Sequence, residues 1–224
     1  MEYKNRIADK LLRDKLEAMG AVLIEGPKAC GKTTTAEQQA KSIIYMDDPV
    51  KQEQYKQMAQ TNIRFLLEGE TPRLIDEWQH VPQFWDAIRF EVDHRDDDGQ
   101  FMLTGSAVPA DMKEIHHTGT GRYGWLTMRP MSLWESGEST GEVSLSDLFL
   151  TPDRIGALNK LTLPMLAFAA CRGGWPKSLQ KKTEKAALSQ VTEYYKAITN
   201  SDISRVDNVK RDEERSKKNY AFIC

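Results

Sequence analysis

Apolar and polar positions alternate in a way that predicts a regular succession of elements through the first part of the chain. Residues 7–19 place Leu11, Leu12, Leu16 and Met19 at helical spacing, and Gly20 follows as a stop signal. Ala21, Val22, Leu23, Ile24 and Glu25 then form a short apolar run that enters a glycine loop, which predicts a strand. Residues 33–41, rich in alanine, glutamine and threonine, predict a helix, and residues 42–46 a second strand closed by Asp47, Asp48 and Pro49. A polar helix is expected over residues 52–69 and a third strand over residues 72–77, with two carboxylates at its end. Residues 81–94 set Phe84, Trp85, Ile88 and Val92 on one face of a helix, and residues 95–99 make a solvated turn. A fourth strand over residues 101–106 and a fifth over residues 125–128, after the glycine-rich residues 119–124, complete the series.

Strands separated by helices imply an α/β fold, a mostly parallel sheet with helices on both faces. Beyond Arg129 the texture becomes helical, with patterned stretches from Leu145 to Tyr195 after a loop at residues 136–141. The expected organisation is a core over residues 1–135, a helical region over residues 136–206 and a charged tail over residues 207–224. No internal repeat is present in the sequence.

A chain of 224 residues can bury an ordinary core without staples. Its 31 basic and 33 acidic residues leave a formal charge of −2, so no global basic field draws in nucleic acid or a membrane surface. The three cysteines, Cys30, Cys171 and Cys224, are far apart and lack metal-ligand spacing, which fits reduced thiols and a cytoplasmic setting. The amino terminus has no secretory pattern. The longest apolar stretch, residues 161–170, is interrupted by Thr162 and Pro164 and is too short to span a bilayer.

The chemistry begins where the first strand ends. Gly26, Pro27, Lys28, Ala29, Cys30, Gly31, Lys32 and Thr33 match GxxxxGK[ST], between a strand and a helix. Glycines let successive backbone N–H groups turn toward phosphate oxygens, Lys32 adds a point charge, and the Thr33 hydroxyl ligates Mg²⁺, with Thr34 continuing the loop into the helix. This is a P-loop for ATP or ADP, in which Cys30 is a small loop residue. Leu74, Ile75, Asp76 and Glu77 supply the partner signal: Asp76 beside the metal and Glu77 to polarise a water. Acidic residues after an apolar run are ordinarily solvated strand ends, and the upstream loop reverses that reading here. Thr104 and Ser106, ending the fourth strand, can place a hydroxyl between Glu77 and the γ-phosphate, or simply form a turn with Gly105.

Arg122, on the loop of Gly119, Gly121 and Gly124, is a candidate arginine finger acting across a subunit boundary, with Arg129 in reserve. A salt-bridged surface arginine is the plainer reading of either. Gly173, Gly174, Trp175 and Pro176 form an interhelical turn or bring Trp175 and Pro176 against the adenine. His116 and His117 are adjacent, and adjacent histidines rarely face one ligand.

With those residues in hand, the chain resembles a prokaryotic AAA+ family of ATPases whose core precedes a C-terminal domain of unknown function. The likeness runs from about Tyr3 to Asp212. It rests on Arg6 to Asp9, Gly20 to Lys28, Gly31 to Thr33, Leu74 to Glu77, Leu103 to Ala107, Met128 to Ser132, Glu135 to Ser139, Gly173 to Pro176 and Ser201 to Arg205. The resemblance implies a sheet ordered 5-1-4-3-2, with Asp76 and Thr104 on neighbouring strands beside the loop. It further implies nucleotide binding, Mg²⁺ dependence and self-association, and nucleic acid as a partner by analogy alone. Relatives in that family continue further, into winged-helix-like and nuclease-like regions, so a truncated form is expected.

Three functions fit these signals. The first is an ATP hydrolase whose nucleotide cycle moves a helical C-terminal region. The second is a nucleotide-gated switch that holds ATP or ADP with little turnover. The third, a small-molecule kinase, calls for a lid with clustered arginines, and none is apparent in the sequence.

Overall fold

The computed structural model describes residues 3–105, 119–151, 153, 156–158 and 160–199. The chain divides into two compact units, Arg6–Arg129 and the remainder. The first unit is built on five strands, β1 (Ala21–Glu25), β2 (Ser42–Tyr45), β3 (Arg73–Asp76), β4 (Phe101–Thr104) and β5 (Tyr123–Thr127). They lie in the order β2-β3-β4-β1-β5 with every neighbouring pair parallel, which is the 5-1-4-3-2 order expected above. Among the described residues they are accompanied by α1 (Ile7–Leu16), α2 (Lys32–Glu37), α3 (Gln52–Asn62), α4 (Arg64–Leu67) and α5 (Phe84–His94).

Strand alternation sends side chains to two faces. Ala21, Leu23, Ile44, Ile75, Phe101 and Leu103 face Leu66, Leu67, Phe84, Trp85 and Ile88 from α4 and α5 in one core. Val22, Ile24, Leu74 and Met102 take the opposite orientation and are fully buried, while α1 and α2 contact the sheet. Each such buried side chain contributes roughly 1.5–3 kcal/mol. Register places Ile24 opposite Thr104, and Thr104 opposite Asp76, so the carboxyl ends of β1, β4 and β3 are level.

Several bounds differ from expectation for local reasons. Helix α2 ends at Glu37 rather than at residue 41: its Thr33, Thr34 and Thr35 are β-branched, and Lys41 already donates its N–H to the Pro72 carbonyl at the entry to β2. The helix expected over residues 52–69 is broken at Ile63, where the Asn62 side chain accepts from the Arg64 N–H at 3.2 Å. Helix α5 begins at Phe84 because Val81, preceding Pro82, is held out of the helical region at φ −139° and ψ 82°. Strand β5 starts at Tyr123 and runs through Gly124, where a side chain would meet Met19 and Lys15 of the amino-terminal segment.

The second unit contains α6 (Leu133–Ser136), α7 (Leu145–Leu150), α8 (Leu163–Arg172), α9 (Pro176–Leu179) and α10 (Glu184–Ala197). Ser132 caps α6 in a reciprocal pair with Glu135. Arg172, buried at the end of α8, holds Glu138 through two 2.8 Å bonds. The Met131 N–H donates to the Gly174 carbonyl at 2.7 Å, and a Cβ on Gly174 would run into the Met131 backbone. Among the described residues no helix is long and apolar enough to cross a membrane.

Candidate functional site

The loop between β1 and α2 owes its shape to three backbone positions with positive φ, Gly26 at 149°, Ala29 at 62° and Gly31 at 103°. Gly26 must lack a side chain, since a Cβ there would strike the Met128 carbonyl as well as strain the backbone. Pro27, Lys28 and Ala29 form the exposed tip, and Thr34 is exposed on the first turn of α2. The Lys32 ammonium folds back over the loop and donates to the carbonyls of Gly26 at 2.9 Å and Pro27 at 3.1 Å. An ammonium carries three donors, so this cation spans the loop with one N–H beyond those two bonds. Cys30 is buried, its Sγ 3.9 Å from the Met128 carbonyl, and burial pushes its thiol pKa up against the lowering influence of Lys32 and Arg6. It is a packing group.

Opposite the loop stands Asp76, the buried last residue of β3. Its Oδ1 accepts from the Thr33 hydroxyl at 2.7 Å and from the Thr104 hydroxyl at the end of β4. The first turn of α2 and the ends of two strands therefore converge on one carboxylate oxygen. Burial raises the Asp76 pKa, the two hydroxyls lower it, and the charges of Asp47 and Glu37 raise it further. A carboxylate in that position gains from a nearby cation. Thr33 and Asp76 offer hard oxygen donors, the donor set that Mg²⁺ takes, so these residues fit the metal.

Glu77 follows in the left-handed region, φ 53° and ψ 45°, and opens a short 3₁₀ turn, Trp78–His80. Non-glycine residues pay for that conformation, commonly of order 1–3 kcal/mol, and tertiary packing must hold it. Trp78 supplies the packing: it is buried, with its ring centroid 5.5 Å from that of Trp85 on α5. Trp85 in turn stacks on Tyr123 of β5 at 4.0 Å, and the Tyr123 hydroxyl donates to the Trp85 carbonyl at 2.7 Å. The Gln79 amide nitrogen donates to Glu77 Oε2.

Lys32, Thr33, Asp76, Glu77 and Thr104 thus stand at one edge of the sheet, while Arg122 does not. Its carbonyl accepts from Ala21 at the start of β1, a strand length of roughly 13 Å from the loop. Its guanidinium donates to Asp93 Oδ1 at 2.7 Å and to the Thr120 carbonyl at 3.1 Å. Only a neighbouring molecule's phosphate could meet it. Arg129 follows Met128, whose carbonyl adjoins Gly26, so the reserve candidate is the one on the loop side of the sheet. Pro176 is the first residue of α9 in the second unit, where the ring of Trp175 packs on Tyr194 at 4.3 Å. Ser106, His116, His117 and residues 207–224 lie outside the described residues.

One supporting residue escaped the sequence reading as a site residue. Arg6, the buried N-cap of α1, donates to the Cys30 carbonyl at 3.0 Å and to the Arg129 carbonyl at 2.7 Å, tying the loop to the exit of β5. Its place at a helix start, far from the loop in sequence, carries no local signal of that contact.

Comparison with known proteins places the family of the first unit. Residues 19–136 match the family model described as an AAA domain. The Walker-type ATPase of Pyrococcus abyssi is similar in structure, with a TM-score of 0.50 and 12% identity over 97% of this chain and 77% of that one. The structure of C. elegans PCH-2 gives a TM-score of 0.39 and 16% identity over 83% of this chain and 66% of that one. No curated protein matches the sequence.

Proposed function

The chain belongs to the AAA domain family of P-loop ATPases, and from that premise we propose that it hydrolyses ATP with Mg²⁺, using Glu77 to activate water, and transmits nucleotide state to its helical C-terminal region. The observation that carries the reading is the convergence of Thr33, Asp76 and Thr104 beside the Lys32 loop. A strand-end carboxylate with only a solvating role would face water. Asp76 instead is buried and gripped by hydroxyls from two other elements.

In this reading the loop N–H groups and Lys32 bind the phosphates, Lys32 exchanging carbonyl partners for phosphate oxygens. Thr33 and Asp76 hold Mg²⁺, which when bound offsets charge on the phosphate oxygens. Thr104 fixes the Asp76 carboxylate through the same Oδ1 that Thr33 contacts. Glu77 presents a carboxylate oxygen to a water and draws its proton as the water attacks the terminal phosphate and the bond to the departing ADP breaks. Self-association, with Arg122 meeting a neighbour's nucleotide, is the corresponding proposal for the assembled state.

The test is phosphate release and ATP affinity of Glu77→Gln beside the unaltered protein. Turnover should fall about 10²–10⁴-fold, the span of general-base contributions, with nucleotide affinity retained. Unchanged release would remove Glu77 from the mechanism. Firm retention of nucleotide without turnover by the unaltered protein would instead make it a nucleotide-gated switch.

A further inference from the structure

Glu77 is a carboxylate on a turn, and a base on a turn needs something to aim it. Its Oε2 accepts from the Gln79 amide nitrogen, and no described residue donates to its Oε1. The contact depends on the left-handed backbone at Glu77, which curls the turn so that side chains two residues apart face each other. Gln79 is itself located from the other side. Among the described residues its buried Oε1 has no hydrogen-bond partner, and it lies 2.5 Å from where a Cβ on Gly105 would be, directly after Thr104 at the end of β4. The same absent Cβ would come within 3.3 Å of Trp78 Nε1, so Gly105 makes room for both turn residues.

The assignment of the amide ends follows from chemistry. A carboxylate accepts only, so the nitrogen of Gln79 faces Glu77 and the oxygen faces Gly105. Leaving a buried carbonyl oxygen unpaired costs of order 1–3 kcal/mol. A glutamine placed only to fill space would not carry that cost, since an apolar side chain would fill the same volume.

We propose that Gln79 is the positioning residue of the hydrolytic centre: its amide holds Oε2 of Glu77 and leaves Oε1 to accept the proton of the attacking water. This follows the general pattern of a base oriented by a third group. Gln79 touches neither nucleotide nor water and acts through Glu77, so the inference rests on the proposed role of Glu77. It also connects the base to the strand that carries Thr104, so that a shift of the β4 end would be felt at the Glu77 carboxylate.

The experiment is a double-mutant cycle on the full chain, read as single-turnover phosphate release with ATP and Mg²⁺, ATP affinity and thermal melting. Gln79→Ala should slow release roughly 10- to 100-fold, the usual cost of losing an orienting partner, with ATP affinity within about twofold of the unaltered protein. Gln79→Glu keeps the shape against Gly105 but replaces the donor with a like charge, and should slow release at least as much. In the Glu77→Gln background, Gln79→Ala should add no further loss, because its effect passes through that carboxylate. Equal losses in both backgrounds, release by Gln79→Glu at the unaltered rate, or affinity lost in step with rate would each overturn the assignment. Should Gln79→Ala melt before assay, Gln79→Glu decides alone. A Glu77→Gln protein that releases phosphate at the unaltered rate would overturn the base itself, a result distinct from the failure of Gln79.

Discussion

Thr104 donates its hydroxyl to Asp76 Oδ1, the oxygen that also accepts from Thr33 at 2.7 Å. Both residues are buried at adjacent strand ends, opposite each other in register. A hydrogen bond to a buried charged group is worth about 1.5–3 kcal/mol, more than a neutral pair, because the carboxylate has little water to fall back on. Thr104→Val keeps the shape and removes the donor. The variant should unfold at a lower urea concentration, by the equivalent of about 1–3 kcal/mol in the absence of nucleotide. An unchanged midpoint with an unchanged denaturant slope would show that Thr104 contributes nothing to holding Asp76.

The second unit carries its own electrostatic tie. Arg172 grips Glu138 with two 2.8 Å bonds and holds its carboxyl below the usual carboxylate range, with Ser136 assisting. A depressed folded-state pKa gives stability that is fully present above the ordinary value of 4.5 and is lost as pH falls through the lowered value. The unaltered protein should therefore melt above Glu138→Gln at neutral pH. That gap should begin to narrow as the pH falls below 4.5 and close once it passes the lowered folded value, where Glu138 is protonated in both folded and unfolded chains. Melting curves across that range check it, and a gap that widens on acidification would contradict the sign.

Much of the core of the site was legible in the sequence because its signals are local. The apolar run Ala21–Glu25 ends at a glycine loop, and Asp76 and Thr104 end apolar runs of their own, so periodicity alone brings each to a strand end. That these ends are level follows from a parallel sheet with β4 between β1 and β3. What was not legible depends on contacts distant in sequence. Gly124 belongs to a glycine-rich stretch that looks like loop, yet it lies inside β5, where an added Cβ would crowd the Met19 side chain at 3.2 Å and touch Lys15 of α1 at 3.7 Å. Arg6 reaches the loop only after α1 is placed. Gln79 is an ordinary polar turn residue until the left-handed backbone at Glu77 turns it inward. Propensity at Glu77 argues against that conformation, and the aromatic packing of Trp78 on Trp85 overrides it.

Arg122 separates two readings of an arginine on a glycine loop. Its guanidinium is committed to Asp93 at 2.7 Å, and its backbone pairs with the amino-terminal end of β1, whereas the phosphate loop leaves the other end. No side-chain rotation spans that strand, so Arg122 cannot reach a nucleotide bound to its own chain. Arg122→Ala should therefore turn over ATP at the unaltered rate in dilute solution, where molecules act singly. A neighbour's nucleotide is a different matter, because association can bring a second loop to the amino-terminal edge. If Arg122 serves in trans, the variant should lose rate only at protein concentrations where light scattering detects association, and mixing it with a Lys32→Ala protein should then restore part of that rate. Loss of turnover by Arg122→Ala in dilute solution would contradict the geometry, and an unaltered rate in the associated protein would leave Arg122 as the ion-pair partner of Asp93.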